Sequence, residues 1–217
     1  AMFGTDPEKA DNMELGFRYA RNDSSLEAFY FASDYKNLKA VCKNSQGGDC
    51  SDGDVFDGGA VDVTGIEISG SHIFNGSTGI LYPVGLTYTS TDATFKNSFD
   101  DDGDYWGVVA AGDDVPYVPS SSLALVVGFI NPDGLSGNIR LVENGSACST
   151  AACGVNQNIE AHSFIDLNLR KPLNDKTDLY LIMENILDHE DIVARAPKDG
   201  ARSQKPRTLK VGFTYKL

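Results

Sequence analysis

Apolar and polar residues alternate with a period of two along much of the chain, and the alternation is cleanest at the end. There Leu209, Val211, Phe213, Tyr215 and Leu217 interleave with Thr208, Lys210, Gly212, Thr214 and Lys216. Ile165, Leu167 and Leu169 alternate with Asp166, Asn168 and Arg170, and Met13, Leu15, Phe17 and Tyr19 with Glu14, Gly16 and Arg18. A helix would mix the two sets on one face, whereas a strand sends them to opposite faces of a sheet. The same pattern predicts strands over 24–43, 61–74, 81–97, 120–130, 135–143 and 177–187, nine in all. Between Val61 and Ile68 the apolar positions change from odd to even around Gly65. A strict alternation cannot produce that change, so a bulge is expected at the glycine.

The connections alternate too. Short ones lie near Arg21–Asp23, Asn75–Ile80, Asn131–Gly134 and Asn174–Lys176, and long polar ones at about 44–60, 98–119, 144–162 and 188–207. Every second connection is therefore long. An all-β antiparallel transmembrane β-barrel has this asymmetry, with short turns on the periplasmic side, long loops outside and strands that cross in ~9–11 residues. A soluble secreted all-β binding protein has no reason to keep it, and would bury its apolar faces against a second sheet. Nine strands do not close a bacterial barrel of the usual even-stranded kind, and open edges in a bilayer leave backbone groups unpaired. The start shows no charged segment followed by an apolar one, the mark of an export signal. The expectation is a C-terminal fragment whose front lies elsewhere.

Composition narrows the classes further. No stretch approaches the roughly 20 apolar residues of a membrane-spanning helix, while nine Tyr, eleven Phe and 22 Gly suit strands and turns. The net charge of −13 argues against a nucleic-acid partner, which needs a surplus of Lys and Arg on some face. Cys42 with Cys50 and Cys148 with Cys153 form two close pairs in or beside polar stretches, without the spacing of a zinc site. Both are candidate disulfides, and both fall on the outer side. His72, His162 and His189 are isolated, and neither a HExxH sequence nor a Gly-x-Ser-x-Gly elbow is present. No enzyme activity, metal site or cofactor is expected. The acidic run from Asp100 to Asp104 has the wrong spacing for an EF-hand and reads as a solvated loop.

Several segments resemble a known family. Asn185-Ile186-Leu187-Asp188, Val193-Ala194-Arg195-Ala196-Pro197, Gly200-Ala201-Arg202, Lys205-Pro206-Arg207-Thr208 and Val211-Gly212-Phe213-Thr214-Tyr215 follow one another as in the terminus of TonB-dependent receptors. Pro7 to Gly16, Tyr88 to Asp92 and Gly112 to Pro119 resemble earlier parts of the same barrels, and the ferric-citrate and siderophore branch is the most similar. Lys210, Gly212, Tyr215 and Leu217 fit the pattern read by the barrel-assembly machinery, although many members end in Phe or Trp where this chain has Leu217.

The resemblance implies a roughly 22-stranded barrel plugged by an N-terminal domain, of which this chain supplies wall and outer loops. It further implies the outer membrane of a Gram-negative bacterium, contact with lipid and lipopolysaccharide, TonB acting through the missing N-terminal part, and import of a small-molecule ligand such as a ferric chelate. Arg195, Arg202 and Arg207, with Lys198 and Lys205, make 188–207 the locally basic outer segment. Arginine binds carboxylates bidentately, so these three are candidate ligand contacts; pairing with nearby acids or lipopolysaccharide phosphates is the competing use. A passive porin-like channel is the alternative function.

Overall fold

A computed structural model describes residues 7–41, 55–100, 106, 108–196 and 200–216. Among the described residues nine long strands form one antiparallel sheet in chain order: β1 (Lys9–Arg21), β2 (Ser24–Val41), β3 (Val55–Asn75), β4 (Leu81–Phe95), β5 (Ser121–Ile130), β6 (Ser136–Asn144), β7 (His162–Asn174), β8 (Thr177–Glu184) and β9 (Thr208–Tyr215). The expected all-β antiparallel sheet is present among the described residues. Among the described residues three two-stranded ribbons decorate the long connections, pairing Phe99–Asp100 with Val108–Val109, Ala147–Cys148 with Asn158–Ile159, and Ile192–Ala194 with Arg202–Ser203.

Register sorts the side chains by face. Tyr19, Leu26, Gly70, Leu86, Leu125, Leu141 and Ile165 stand in one cross-strand row. The next row on that face holds Val84, Val127, Ile139, Leu167, Met183 and Leu209. The opposite face is mixed, with Gly128, Asn138, Asn168, Ile182 and Lys210 in one row. It also carries a hollow of about 610 Å³ lined by Gly85, Asn138, Asn168 and Tyr180 among others. Leu15, Phe17, Val127, Ile139, Val211 and Phe213 lie exposed on the apolar face, and no second sheet covers them among the described residues. An apolar surface this continuous marks contact with lipid or protein rather than water.

The short turns are built from residues that tolerate positive φ. Asn22 (φ 48), Gly79 (φ 77) and Gly134 (φ 87) occupy three of them, and the two-residue link between Arg21 and Ser24 is a hairpin site that favours Asn. All four short turns lie at one end of the sheet and the described parts of the long connections at the other.

Two details differ from the sequence reading. Gly65 is not a bulge: it pairs with Phe31 and Thr91 in unbroken register with its neighbours. The glycine is needed because a Cβ there would overlap both the Phe31 ring and the Ser90 carbonyl. The apolar positions change parity because Val61 and Val63 lie on the mixed face under a loop, whereas Ile66 and Ile68 lie on the apolar face. The register shifts instead lie between Tyr35 and Lys39, where Asn37 (φ 55) and Gly59 (φ 72) take up the extra residues. β3 also begins at Val55, six residues earlier than the alternation indicates, and β8 stops at Glu184.

Candidate functional site

The outer ends of the strands carry three described loops, and the first is fastened by apolar packing. Strands β2 and β3 run for 18 and 21 residues, well beyond the ~9–11 that cross a bilayer. Their outer halves, with the end of β4, bury Val61, Phe95, Val109 and Ala151 against Tyr35, Leu38, Val63, Phe99, Trp106 and Val115. Phe95 is 1% exposed, with ring centroids 5.5 Å from Phe99 and 5.2 Å from Trp106. The returning chain binds β4 through Phe95 N–H to Asp113 O at 2.9 Å, Gly112 N–H to Phe95 O at 2.7 Å and Val115 N–H to Ala93 O at 2.8 Å. On the opposite face Lys96 sits 3.1 Å from both Asp34 and Asp62. Hydrogen bonds to Asp62 and then Asp34 hold its ammonium above the usual lysine range.

The last loop is fastened by hydrogen bonds. Asn185 follows β8 in the left-handed region (φ 50) and is 4% exposed. Its Nδ2 donates to His189 O and Lys205 O, each at 2.9 Å, and its Oδ1 accepts from His189 N–H at 3.2 Å. Its own N–H donates to Asp166 Oδ1 at 3.0 Å. Three residues on, Asp188 accepts from Arg207 N–H at 2.9 Å and from its Nη2 at 3.3 Å, while Arg207 Nη1 donates to Ile186 O at 3.2 Å. The segment 185–188 thus grips 205–207 and closes the base of the loop.

The three loops also bind one another. Tyr117 N–H donates to Cys148 O at 2.7 Å, Ser120 N–H to Ser146 O at 3.3 Å, and Ala151 N–H to Trp106 O at 3.1 Å. The Tyr117 hydroxyl donates to Arg195 O, and Arg195 Nε donates to Asn158 O at 2.8 Å. Cys148 and Cys153 are bridged, with Cα atoms 5.4 Å apart.

The expected site residues have separate surroundings. Arg195 holds Asn158, Arg202 donates through Nε to Ala196 O at 3.3 Å, and Arg207 is engaged by Asp188. Lys205 pairs with Glu184, which also takes Lys210 at 2.8 Å. Gly212 lies beneath the Tyr180 ring, and Tyr215 pairs with Thr177. His72 meets Ser24 Oγ at 2.7 Å, His162 donates through Nδ1 to Glu160 O at 3.0 Å, and His189 lies 3.9 Å from Asp191. Among the described residues no group of His, Cys, Asp and Glu is placed to hold a metal ion. Cys42, Cys50, Lys198, Leu217 and residues 101–104 of the acidic run lie outside the described residues.

Two residues that the alternation does not single out organise this region. Tyr117 takes φ 62, a conformation uncommon for a bulky side chain. Asn185 ends a strand abruptly; an Asn directly after an apolar run is the local signal for such a break, because Asn adopts this conformation more readily than most residues.

The sequence matches the family described as TonB dependent receptor-like, beta-barrel, over residues 2–186. Among solved structures, the ferric-catecholate import receptor Fiu from E. coli K12 in its closed form aligns with TM-score 0.70 and 24% identity, covering 97% of this chain and 28% of that one. The siderophore receptor PiuA from Acinetobacter baumannii aligns with TM-score 0.74 and 18% identity, covering 97% and 29%. The unliganded ferric citrate transporter FecA aligns with TM-score 0.72 and 20% identity, covering 96% and 31%. This chain therefore spans under a third of the length of each. No curated protein matches the sequence.

Proposed function

Since the chain belongs to the TonB-dependent receptor-like β-barrel family, we propose that it forms the C-terminal wall and outer loops of a receptor that imports a ferric chelate across a Gram-negative outer membrane. The observation that carries this reading is the nine-stranded sheet itself, with one continuous apolar face, one mixed face and the described parts of the long connections at one end. Strands β1 and β9 each have one edge without a partner strand among the described residues. In a bilayer such edges are costly, and a roughly 22-stranded barrel with a plug would supply the missing neighbours. The role is binding and passage of a ligand, with no catalysis.

Within this proposal the apolar face meets lipid, and the outer rim meets lipopolysaccharide. The final strand, through Lys210, Gly212, Tyr215 and Leu217, is read by the assembly machinery, and TonB acts on the N-terminal part. Arg195, Arg202 and Arg207 are assigned to an anionic chelate, with Asp188 competing for the last of them. The test is uptake of radiolabelled ferric citrate and of a ferric catecholate by cells that carry or lack the full-length gene, each with and without functional TonB. Uptake that requires both gene and TonB is expected. Uptake indifferent to TonB would sink active transport in favour of a passive channel.

A further inference from the structure

We infer that Tyr117 is a positioning residue that aims Arg195 and makes the three described outer loops one mechanical unit. The inference rests on the chelate-receptor reading only for its second readout. Arg195 is held at two points from two different loops: its carbonyl accepts from the Tyr117 hydroxyl, and its Nε donates to Asn158 O at 2.8 Å. These two holds are themselves tied together, because Tyr117 N–H donates to Cys148 O at 2.7 Å and Cys148 pairs with Asn158 in the short ribbon. A closed circuit therefore runs from Tyr117 through Cys148 and Asn158 to Arg195 and back to Tyr117.

Two further features fit this role. Tyr117 is kept at φ 62, and a non-glycine residue is held in that region only where its surroundings over-determine it. The Cys148–Cys153 bridge ties Cys148, the ribbon residue that receives Tyr117, to the turn that follows it. With Nε committed to a carbonyl, the two Nη atoms of Arg195 keep the fork geometry that a carboxylate takes in two parallel bonds. The circuit fixes where that fork points, which makes Tyr117 a determinant of ligand affinity.

The test uses the full-length receptor in detergent and compares Tyr117→Phe with Asn158→Ala, which keeps the backbone carbonyl that Arg195 uses. Hydrogen exchange is followed first without ligand, so this readout stands whether or not the receptor imports iron. Loss of the hydroxyl is expected to raise exchange about tenfold, the effect of one net hydrogen bond, at Ser149, Gln157 and Gln204 together. Those amides belong to two loops that do not contain residue 117. Asn158→Ala is expected to change nothing.

Ferric citrate is then titrated. Tyr117→Phe is expected to weaken its binding several-fold at unchanged capacity, and Arg195→Lys, which keeps charge without the fork, to do the same. Exchange that rises only around residue 117, or stays unchanged, overturns the coupling of the loops. Exchange that rises in all three loops while affinity stays constant overturns the aiming of Arg195.

Discussion

The two flanks of the outer rim solve the same problem by opposite means. Near β2 to β4 the strands outrun the bilayer and the returning loop is fastened by an apolar cluster around Phe95, with backbone bonds added. Near β8 and β9 the strands have eight residues each, and the loop between them is closed by one buried amide and one Asp–Arg pair. Burial is non-directional and shared over many contacts. A hydrogen-bonded latch is directional and concentrated, because leaving one buried partner unpaired costs more than the bond contributes when made. The first flank should therefore lose stability in proportion to volume removed, and the second should respond to isosteric changes of a few atoms.

The largest effect is expected from Phe95→Ala, which empties the centre of the cluster. Truncations of this kind cost about 3–5 kcal/mol. Thermal unfolding of the detergent-solubilised receptor should shift accordingly, and proteolysis should begin within 96–120 while 185–207 stays resistant. Cleavage starting in the last loop would show that the flanks do not hold their loops independently. Next comes Asn185→Ala, which strands the carbonyls of His189 and Lys205 and strains the backbone at φ 50. About 2–4 kcal/mol is expected, with the reverse order of proteolysis. Asn185→Asp, nearly isosteric but without the two donors, should recover little of the loss. Full recovery would mean that backbone conformation rather than the amide fastens this flank.

The difference also explains what the sequence revealed. The strands were legible because a wall with one apolar and one mixed face imposes period two on every crossing, and the apolar rows from Tyr19 to Ile165 carry that signal undiluted. Legibility ended where the wall left the membrane. Val61 and Val63 turn apolar side chains inward, under a loop that only the fold brings back, so the parity change resembled a bulge at Gly65. The latch was less readable still. Asp188 and Arg207 are 19 residues apart, and nothing local announces that the arginine is engaged by that aspartate. Arg195, Arg202 and Arg207 stood out by charge alone, yet their hydrogen-bond partners are carbonyls and a carboxylate of the outer loops themselves.

A smaller effect separates the surface charges from both fastenings. Lys96 bridges Asp34 and Asp62 on the face opposite the apolar cluster, with about a third of its side chain exposed. Exposed pairs of this kind contribute little and weaken with salt. Lys96→Met should lower stability slightly at low ionic strength and not at all at high ionic strength. A loss that survives high salt would assign the network to the fastening of the first flank and weaken the contrast drawn between packing and polar contacts.

The smallest effect tests the far end of the sheet, where neither fastening reaches. Asp133 lies in the turn between β5 and β6, takes the Lys171 ammonium and accepts from Leu135 N–H at 3.0 Å. Lys171 and then that N–H hold its carboxyl below the usual carboxylate range. A carboxylate whose pKa is depressed by folding adds stability above its unfolded pKa, about 3.9, and loses it as pH falls through the folded value. The amide signal of Leu135 should therefore titrate with a midpoint below 3.9, and Lys171→Met should move that midpoint upward. Signals from Gly112 and His189, in the two outer fastenings, should not follow Lys171→Met. If they did, the turns and the rim would be coupled through the strands, and the outer flanks would owe part of their order to the opposite end of the wall.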